Sequence, residues 1–205
     1  MRKGSGRRAG HRFDADHGVV TEALIFLGEL DPDAIGPALE DATHYEPTPL
    51  AECGALLGAL PPPPEQLAFV DIGAGMGRVL LLATQMRFRQ IVGVEVSPAL
   101  CEVARQNVAQ WRKAEGATAC SDVRIVCSDA ATARLPRSDA VFYLYNPFGE
   151  TSLRRLVERI VHEVGGRCAI LYHTPLHRAI LDRDPRFAIH ADLGFGIVYV
   201  RVPEI

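Results

Sequence analysis

Phe69-Val70-Asp71-Ile72-Gly73-Ala74-Gly75-Met76-Gly77 decides the reading of this chain. A short apolar run ends in an acid, and glycines then recur at alternate positions. A helical pattern begins at Arg78. That is a strand, a tight turn and a helix N-terminus, which lets a ligand rest against bare backbone at the carboxyl edge of a sheet. Glycine serves there because it takes positive φ and has no Cβ to block an approaching group. A pyrophosphate-binding turn spaces its glycines as G-x-G-x-x-G, and the third glycine of that pattern falls on Arg78 here. An acid two residues before the first glycine repels a pyrophosphate but suits a ligand with a cationic end.

Outward from this stretch, strand and helix patterns alternate, the mark of a parallel sheet. The strands read as Ala68 to Ile72, Ile91 to Val96, Val123 to Cys127, Ala140 to Tyr145 and Cys168 to His173. Helices read from Arg78 to about Arg87, from Pro98 to about Lys113, from Thr151 to Val164, and briefly from Leu176 to Asp182. Ser97 caps the second helix, and Pro98 sits where its missing N–H costs little. Only Ser128 to Asp139 separate the third and fourth strands, so that crossover is a short turn. Phe187 to Asp192 and Ile197 to Val202 lie too close together for a parallel crossover and pair as a hairpin. The expected fold is α/β: a Rossmann-like doubly wound sheet of five parallel strands plus a C-terminal antiparallel hairpin, with helices on both faces.

Upstream, Val19, Val20, Ala23, Leu24 and Leu27 form a helical stripe, and Asp31-Pro32-Asp33 breaks it and caps a second helix. Pro47 and Pro49 force extended backbone before them. Residues 50 to 60 read as a helix stopped by the stiff Pro61 to Pro64. Residues 1 to 12 carry Arg2, Lys3, Arg7, Arg8 and Arg12 with no acid and read as a disordered basic arm.

The bulk numbers set bounds. A chain of 205 residues fits one domain with at most a small cap. A chain of that size buries about 70% of its unfolded surface, enough for a full core without staples. No apolar run approaches the roughly 20 residues that span a bilayer, and Met1 to Arg12 lack the apolar segment of a secretory signal. A cytoplasmic protein that makes no membrane contact is the expectation. The five cysteines include no C-x-x-C pair, so neither a disulfide framework nor a metal site is expected. The net charge of −3 argues neither for nor against most partners, and contact of the basic arm with nucleic acid or an acidic partner is not the expectation.

In a doubly wound sheet the ligand lies beyond the carboxyl ends of the central strands. Those ends carry Asp71 with its glycines, then Glu95, Asp129 and Asn146. Glu95 follows Asp71 by 24 residues, the spacing of an acid that grips ribose hydroxyls. Arg78 opens a helix, a poor place for a cation by the dipole rule, and so calls for an acidic partner or the substrate. His173 and His177 are further candidate bases.

The glycine turn with its leading acid resembles the first motif of the class I S-adenosylmethionine-dependent methyltransferases, and the final hairpin resembles their closing strands. Asn146-Pro147-Phe148 is similar to the [Asn/Asp]-Pro-Pro-[Tyr/Phe] motif of amino-group methyltransferases, with one proline where that motif has two. Over residues 13 to 202 the layout is similar to bacterial members related to the seven-strand lysine methyltransferases. The resemblance implies S-adenosylmethionine held by Asp71, Gly73, Ala74, Gly75, Gly77, Glu95, Asp129, Ala130 and Asn146. It implies an amine acceptor met by Asn146, Pro147, Phe148 and Tyr45, in a protein or a small molecule. The chain then divides into the arm (1–12), an N-terminal helical cap with a proline-rich link (13–64) and the methyltransferase domain (65–205). A non-catalytic nucleoside-binding regulatory protein and a NAD-dependent oxidoreductase are the alternatives.

Overall fold

Strand β3 (Ala68–Ile72) is buried along its whole length, as a strand covered on both faces must be. A computed structural model gives its surroundings and describes residues 3–23, 25–26, 44–61, 64–116 and 118–203. β3 pairs in parallel with β4 (Gln90–Glu95) on one side and β6 (Ala140–Tyr145) on the other. β4 continues to β5 (Val123–Cys127), and β6 continues to β7 (Cys168–His173). Beyond β7 lies β9 (Gly196–Arg201), antiparallel to it, and then β8 (Phe187–Asp192) at the edge. The order β5-β4-β3-β6-β7-β9-β8 reverses direction between β3 and β6, which places the ligand crevice at their carboxyl ends.

Side-chain alternation assigns the two cores. Ala68, Val70 and Ile72 of β3 join Phe142, Leu144, Ile170 and Tyr172 on one face. Helix α5 (Glu150–Glu163) covers that face with Leu153, Leu156, Val157 and Ile160. Phe69, Tyr143, Leu171 and Val198 point to the other face. There they meet Cys53, Leu56 and Leu57 of α2 (Leu50–Gly58) and Val79 and Leu80 of α3 (Arg78–Ala83). Helix α4 (Pro98–Glu115) starts with the Ser97 hydroxyl accepting the Leu100 N–H at 3.3 Å. Helix α6 (Ala179–Asp182) is a single turn between β7 and β8.

Most expected elements stand within a residue or two of their places. Two helices are shorter than their sequence patterns. α3 ends at Ala83 because residues 84–86 tighten into i→i+3 bonds, Gln85 to Leu82 and Met86 to Ala83. α6 starts three residues late because turns from Pro175 and His177 precede it.

The amino-terminal expectations need correction. Residues 1–12 were expected to be disordered, yet Lys3–His17 is one helix, α1. Tertiary packing orders it: Phe13 and His17 stack against Trp111 of α4, with ring centroids 5.5 and 4.6 Å away. His17 also meets Glu115 at 2.7 Å. The helix expected from residue 18 is absent over 18–23. Two short strands, β1 (Ile25–Phe26) and β2 (His44–Tyr45), pair antiparallel instead. The second expected helix, with Leu24, Leu27 and Asp31-Pro32-Asp33, lies outside the described residues. Among the described residues no helix is long and apolar enough to cross a membrane.

Candidate active site

The turn after β3 is built on three left-handed residues, with φ of 78° at Gly73, 53° at Gly75 and 85° at Gly77. All three are crowded as well as left-handed, a Cβ on Gly77 meeting Ala104 of α4. A Cβ on Gly73 would press on Pro147, and one on Gly75 would strike the Tyr45 ring. The turn is drawn onto the sheet by Glu95 at the end of β4. One carboxylate oxygen of Glu95 accepts the Gly75 N–H at 2.8 Å, and the other accepts the Ser97 N–H at 2.9 Å. Burial raises the Glu95 pKa, and these backbone bonds pull against that rise.

Asp71 stands differently. It is 3% exposed, and among the described residues its carboxylate has neither a hydrogen bond nor an ion pair. Burial, with the Glu95 charge beside it, pushes its pKa up to about 8. Two buried carboxyls in one hollow, one of them unpartnered, ask for a cation from outside the protein.

Both acids line a cavity of about 960 Å³. Gly73, Ala74, Ser128, Asp129 and Ala130 line it too, and Val96, Leu100 and Phe148 add apolar walls. Asp129 holds its own turn, one oxygen accepting the Ala131 N–H at 2.8 Å. That turn is clamped by a residue sequence reasoning missed. The Arg159 guanidinium of α5 donates to the carbonyls of Ala130, Ala131 and Ala133 at 2.7–2.8 Å. An Arg159–Glu163 pair at helical spacing looked like any solvated ion pair in the sequence.

Across the cavity lie Tyr45, Glu46, Thr48, Tyr143, Tyr145 and Pro147. The Tyr45 hydroxyl donates to the Thr21 carbonyl at 2.8 Å, and burial raises its pKa, so its role here is to cover Gly75 rather than take a proton. Asn146 departs from the sequence expectation. It has a left-handed φ of 40°, its side-chain oxygen accepts the Tyr172 hydroxyl at 3.3 Å, and it is not among the cavity-lining residues. Its neighbours Pro147 and Phe148 do line the cavity. The amide follows the strained backbone towards β7, where Tyr172 offers a donor.

Arg78 has the acidic partner its position demanded. It is 3% exposed and donates to the Glu22 carboxylate and the Thr21 hydroxyl at 2.7 Å each. Asp14 of α1 organises both partners, accepting the Thr21 N–H and hydroxyl at 2.6 Å and the Glu22 N–H at 2.7 Å. His173 is buried and bonds Glu52 of α2 through Nε2 at 2.7 Å. His177 supplies its backbone N–H to Tyr172.

Residues 69–164 match a family model described as a methyltransferase domain. The match spans a little under half of the chain; with the seven-strand order and the acid-flanked glycine turn it supports an S-adenosylmethionine-dependent methyltransferase. Solved structures share the fold at low identity. An RNA methyltransferase from Salinibacter ruber, determined with S-adenosyl-L-homocysteine, is 20% identical over 78% of this chain and 97% of its own, with a TM-score of 0.52. The putative methyltransferase yhhF from Escherichia coli is 15% identical over 76% and 88%, with a TM-score of 0.61. The mitomycin 7-O-methyltransferase MmcR is 16% identical over 74% and 53%, with a TM-score of 0.55. A search of curated proteins finds no match.

Proposed function

We propose that this methyltransferase transfers its methyl group to an amine nitrogen, on a protein lysine or a small molecule. Asp71 receives the cofactor's ammonium, the Gly73–Gly77 backbone lies against its thioether end, and Glu95 accepts the ribose hydroxyls. Asp129 and Ala130 meet the adenine. The cofactor, when bound, supplies a sulfonium-activated methyl group; the protein aligns the acceptor and excludes water, which can be worth about 7–11 kcal/mol of barrier. The observation that carries the amine reading is the chemistry of the acceptor side of the cavity. Glu46 lines the cavity together with Tyr45, Tyr143 and Tyr145, a carboxylate and aromatic rings in one lining, which suits a cationic amine. Pro147 and Phe148 form the adjoining wall, and these two residues retain the acceptor-side role expected of Asn146-Pro147-Phe148.

Incubation with radiolabelled S-adenosylmethionine and fractionated cell extract tests this. Label should enter a protein or small-molecule fraction, and acylating the amines of that fraction beforehand should abolish uptake. Label in RNA, or uptake indifferent to acylation, refutes the amine acceptor. A second reading rests on the engaged Asn146 amide: a regulatory protein that binds the nucleoside and transfers nothing. Tight binding of S-adenosylhomocysteine with no labelled fraction would favour it.

A further inference from the structure

The carboxyl ends of β6 and β7 hold a chain of polar groups that cofactor binding does not use. Tyr145 and His173 are register partners on the two strands, with ring centroids 4.3 Å apart in an edge-on arrangement. Tyr145 lines the cavity, whereas His173 is only 2% exposed and lies behind it. The next residue, Thr174, takes a left-handed φ of 47°, a conformation a β-branched residue adopts only under constraint. That turn sets its hydroxyl 3.0 Å from His173 Nδ1. The other ring nitrogen, Nε2, meets Glu52 at 2.7 Å, and the Glu52 side chain is 37% exposed. At the cavity end, the Tyr145 hydroxyl has two partners in reach, the Thr174 hydroxyl and the Glu46 carboxylate.

We propose that Tyr145, Thr174, His173 and Glu52 form a proton relay that drains the acceptor's proton from the cavity to the protein surface. The inference rests on the methyltransferase reading of the cavity. An amine arrives as an ammonium and must lose a proton before its lone pair can attack. Tyr145 is the residue that touches it. The acceptor N–H bond breaks as an O–H bond forms on Tyr145. With its hydroxyl turned from Glu46 to Thr174, Tyr145 passes its proton to Thr174 Oγ1, and the Thr174 proton passes to His173 Nδ1. Each oxygen gains one proton and gives one up, no electrons are exchanged, and the proton passes through His173, which is briefly an imidazolium beside Glu52. From Nε2 it leaves through Glu52 to water.

One tautomer permits this: Nε2–H donated to Glu52, with Nδ1 left as acceptor. The resting imidazole must also be neutral. Burial lowers the His173 pKa against the opposing pull of Glu52 and Glu46, so the ring is neutral at neutral pH. The groups that face His173 are Glu52 from α2, Glu46 from the segment before it, Tyr145 from β6 and the uncharged Phe195 ring from the β8–β9 turn. A purely structural His173, pinning α2 to β7, needs neither this tautomer nor any link to Tyr145.

Protein carrying 15N-labelled histidine, saturated with S-adenosylhomocysteine, separates the two roles by NMR, with the His173 signal assigned by its loss in His173→Asn. The relay requires the Nε2–H tautomer. It also requires that Tyr145→Phe, which keeps the ring but removes the hydroxyl, displaces the Nδ1 resonance. Glu52→Gln should lower the His173 pKa. In label transfer to the accepting extract fraction, that variant should move the acid limb of the rate profile to lower pH and slow transfer about tenfold or more. An Nδ1–H tautomer, a Tyr145→Phe spectrum with His173 unmoved, or an acid limb unchanged in Glu52→Gln each overturns the relay. Calorimetry with S-adenosylhomocysteine reads the underlying function separately. If the wild-type protein does not bind it, the methyltransferase reading falls whatever the His173 tautomer.

Discussion

Asp71 is the residue on which the proposed ligand's charge rests. Its pKa of about 8 lies far above the usual carboxylate range, chiefly because burial removes water and secondarily because Glu95 adds a like charge. Between about pH 4 and about pH 8 the unliganded folded protein therefore holds a proton there that the unfolded chain has lost. Stability from this group is greatest at the acid side of that window and declines as pH rises through it. If Asp71 receives the cofactor's ammonium, as proposed, the ion prefers the ionised carboxylate, and binding below about pH 8 must expel the proton. Calorimetry of S-adenosylhomocysteine in buffers of different ionisation enthalpy should show close to one proton released, with affinity rising from about pH 6 to about pH 8. Asp71→Asn should bind weakly and lose the proton release; proton uptake by the wild type would contradict the assignment. Glu95 makes a different statement. Both its oxygens accept backbone N–H groups, so Glu95→Gln sets an NH₂ against a donor. We expect a loss of about 1–3 kcal/mol in stability, read by denaturant melts, and weaker ribose binding besides.

At the scale of elements, two glycines predict opposite outcomes for the same substitution. Gly54 lies inside α2, and a Cβ there meets nothing within 4 Å. Gly54→Ala should stabilise the protein by about 0.5–1 kcal/mol through helix propensity. Gly75 sits at positive φ under the Tyr45 ring, so Gly75→Ala should destabilise the turn and suppress cofactor binding. Thermal melts and calorimetry on both variants check the pair; equal effects would show that the turn does not depend on glycine. This contrast also explains what could be read from the sequence. β3, β5, β6, β7 and β8 were legible to the residue because each is a short apolar run bounded by turn residues, and Ser97-Pro98 announced α4. Helix α1 was not legible. Its glycines and arginines have the composition of a loose tail, and its order comes from Trp111, about a hundred residues away. The site divides in the same way. That Asp71, Gly73 and Glu95 line one cavity follows from local spacing, whereas the Glu52–His173 contact and the turn of Asn146 towards Tyr172 depend on strands meeting in space.

At the scale of the whole molecule, the crevice is closed from the amino-terminal side. Asn107 of α4 accepts the Val20 N–H at 2.8 Å and donates to the carbonyls of Val20 and Met76, tying that segment to the glycine turn. Arg78 carries the rest of the load, joining α3 to Thr21, Glu22 and the Thr48 carbonyl. Arg78→Met leaves two acids without their cation, and loss of one partner of a buried pair costs about 3–5 kcal/mol. Hydrogen exchange should show residues 8–23 opening in that variant while β6 and β7 stay protected; unchanged exchange there would mean that the guanidinium is dispensable. The same guanidinium helps line the cavity. Whatever occupies the nucleoside hollow thus leans on a floor whose far end is nailed to the leading helix. Trimming that helix away would unseat the guest, and a protease nibbling at the front of the chain should be slowed by a nucleoside lodged in the middle of it.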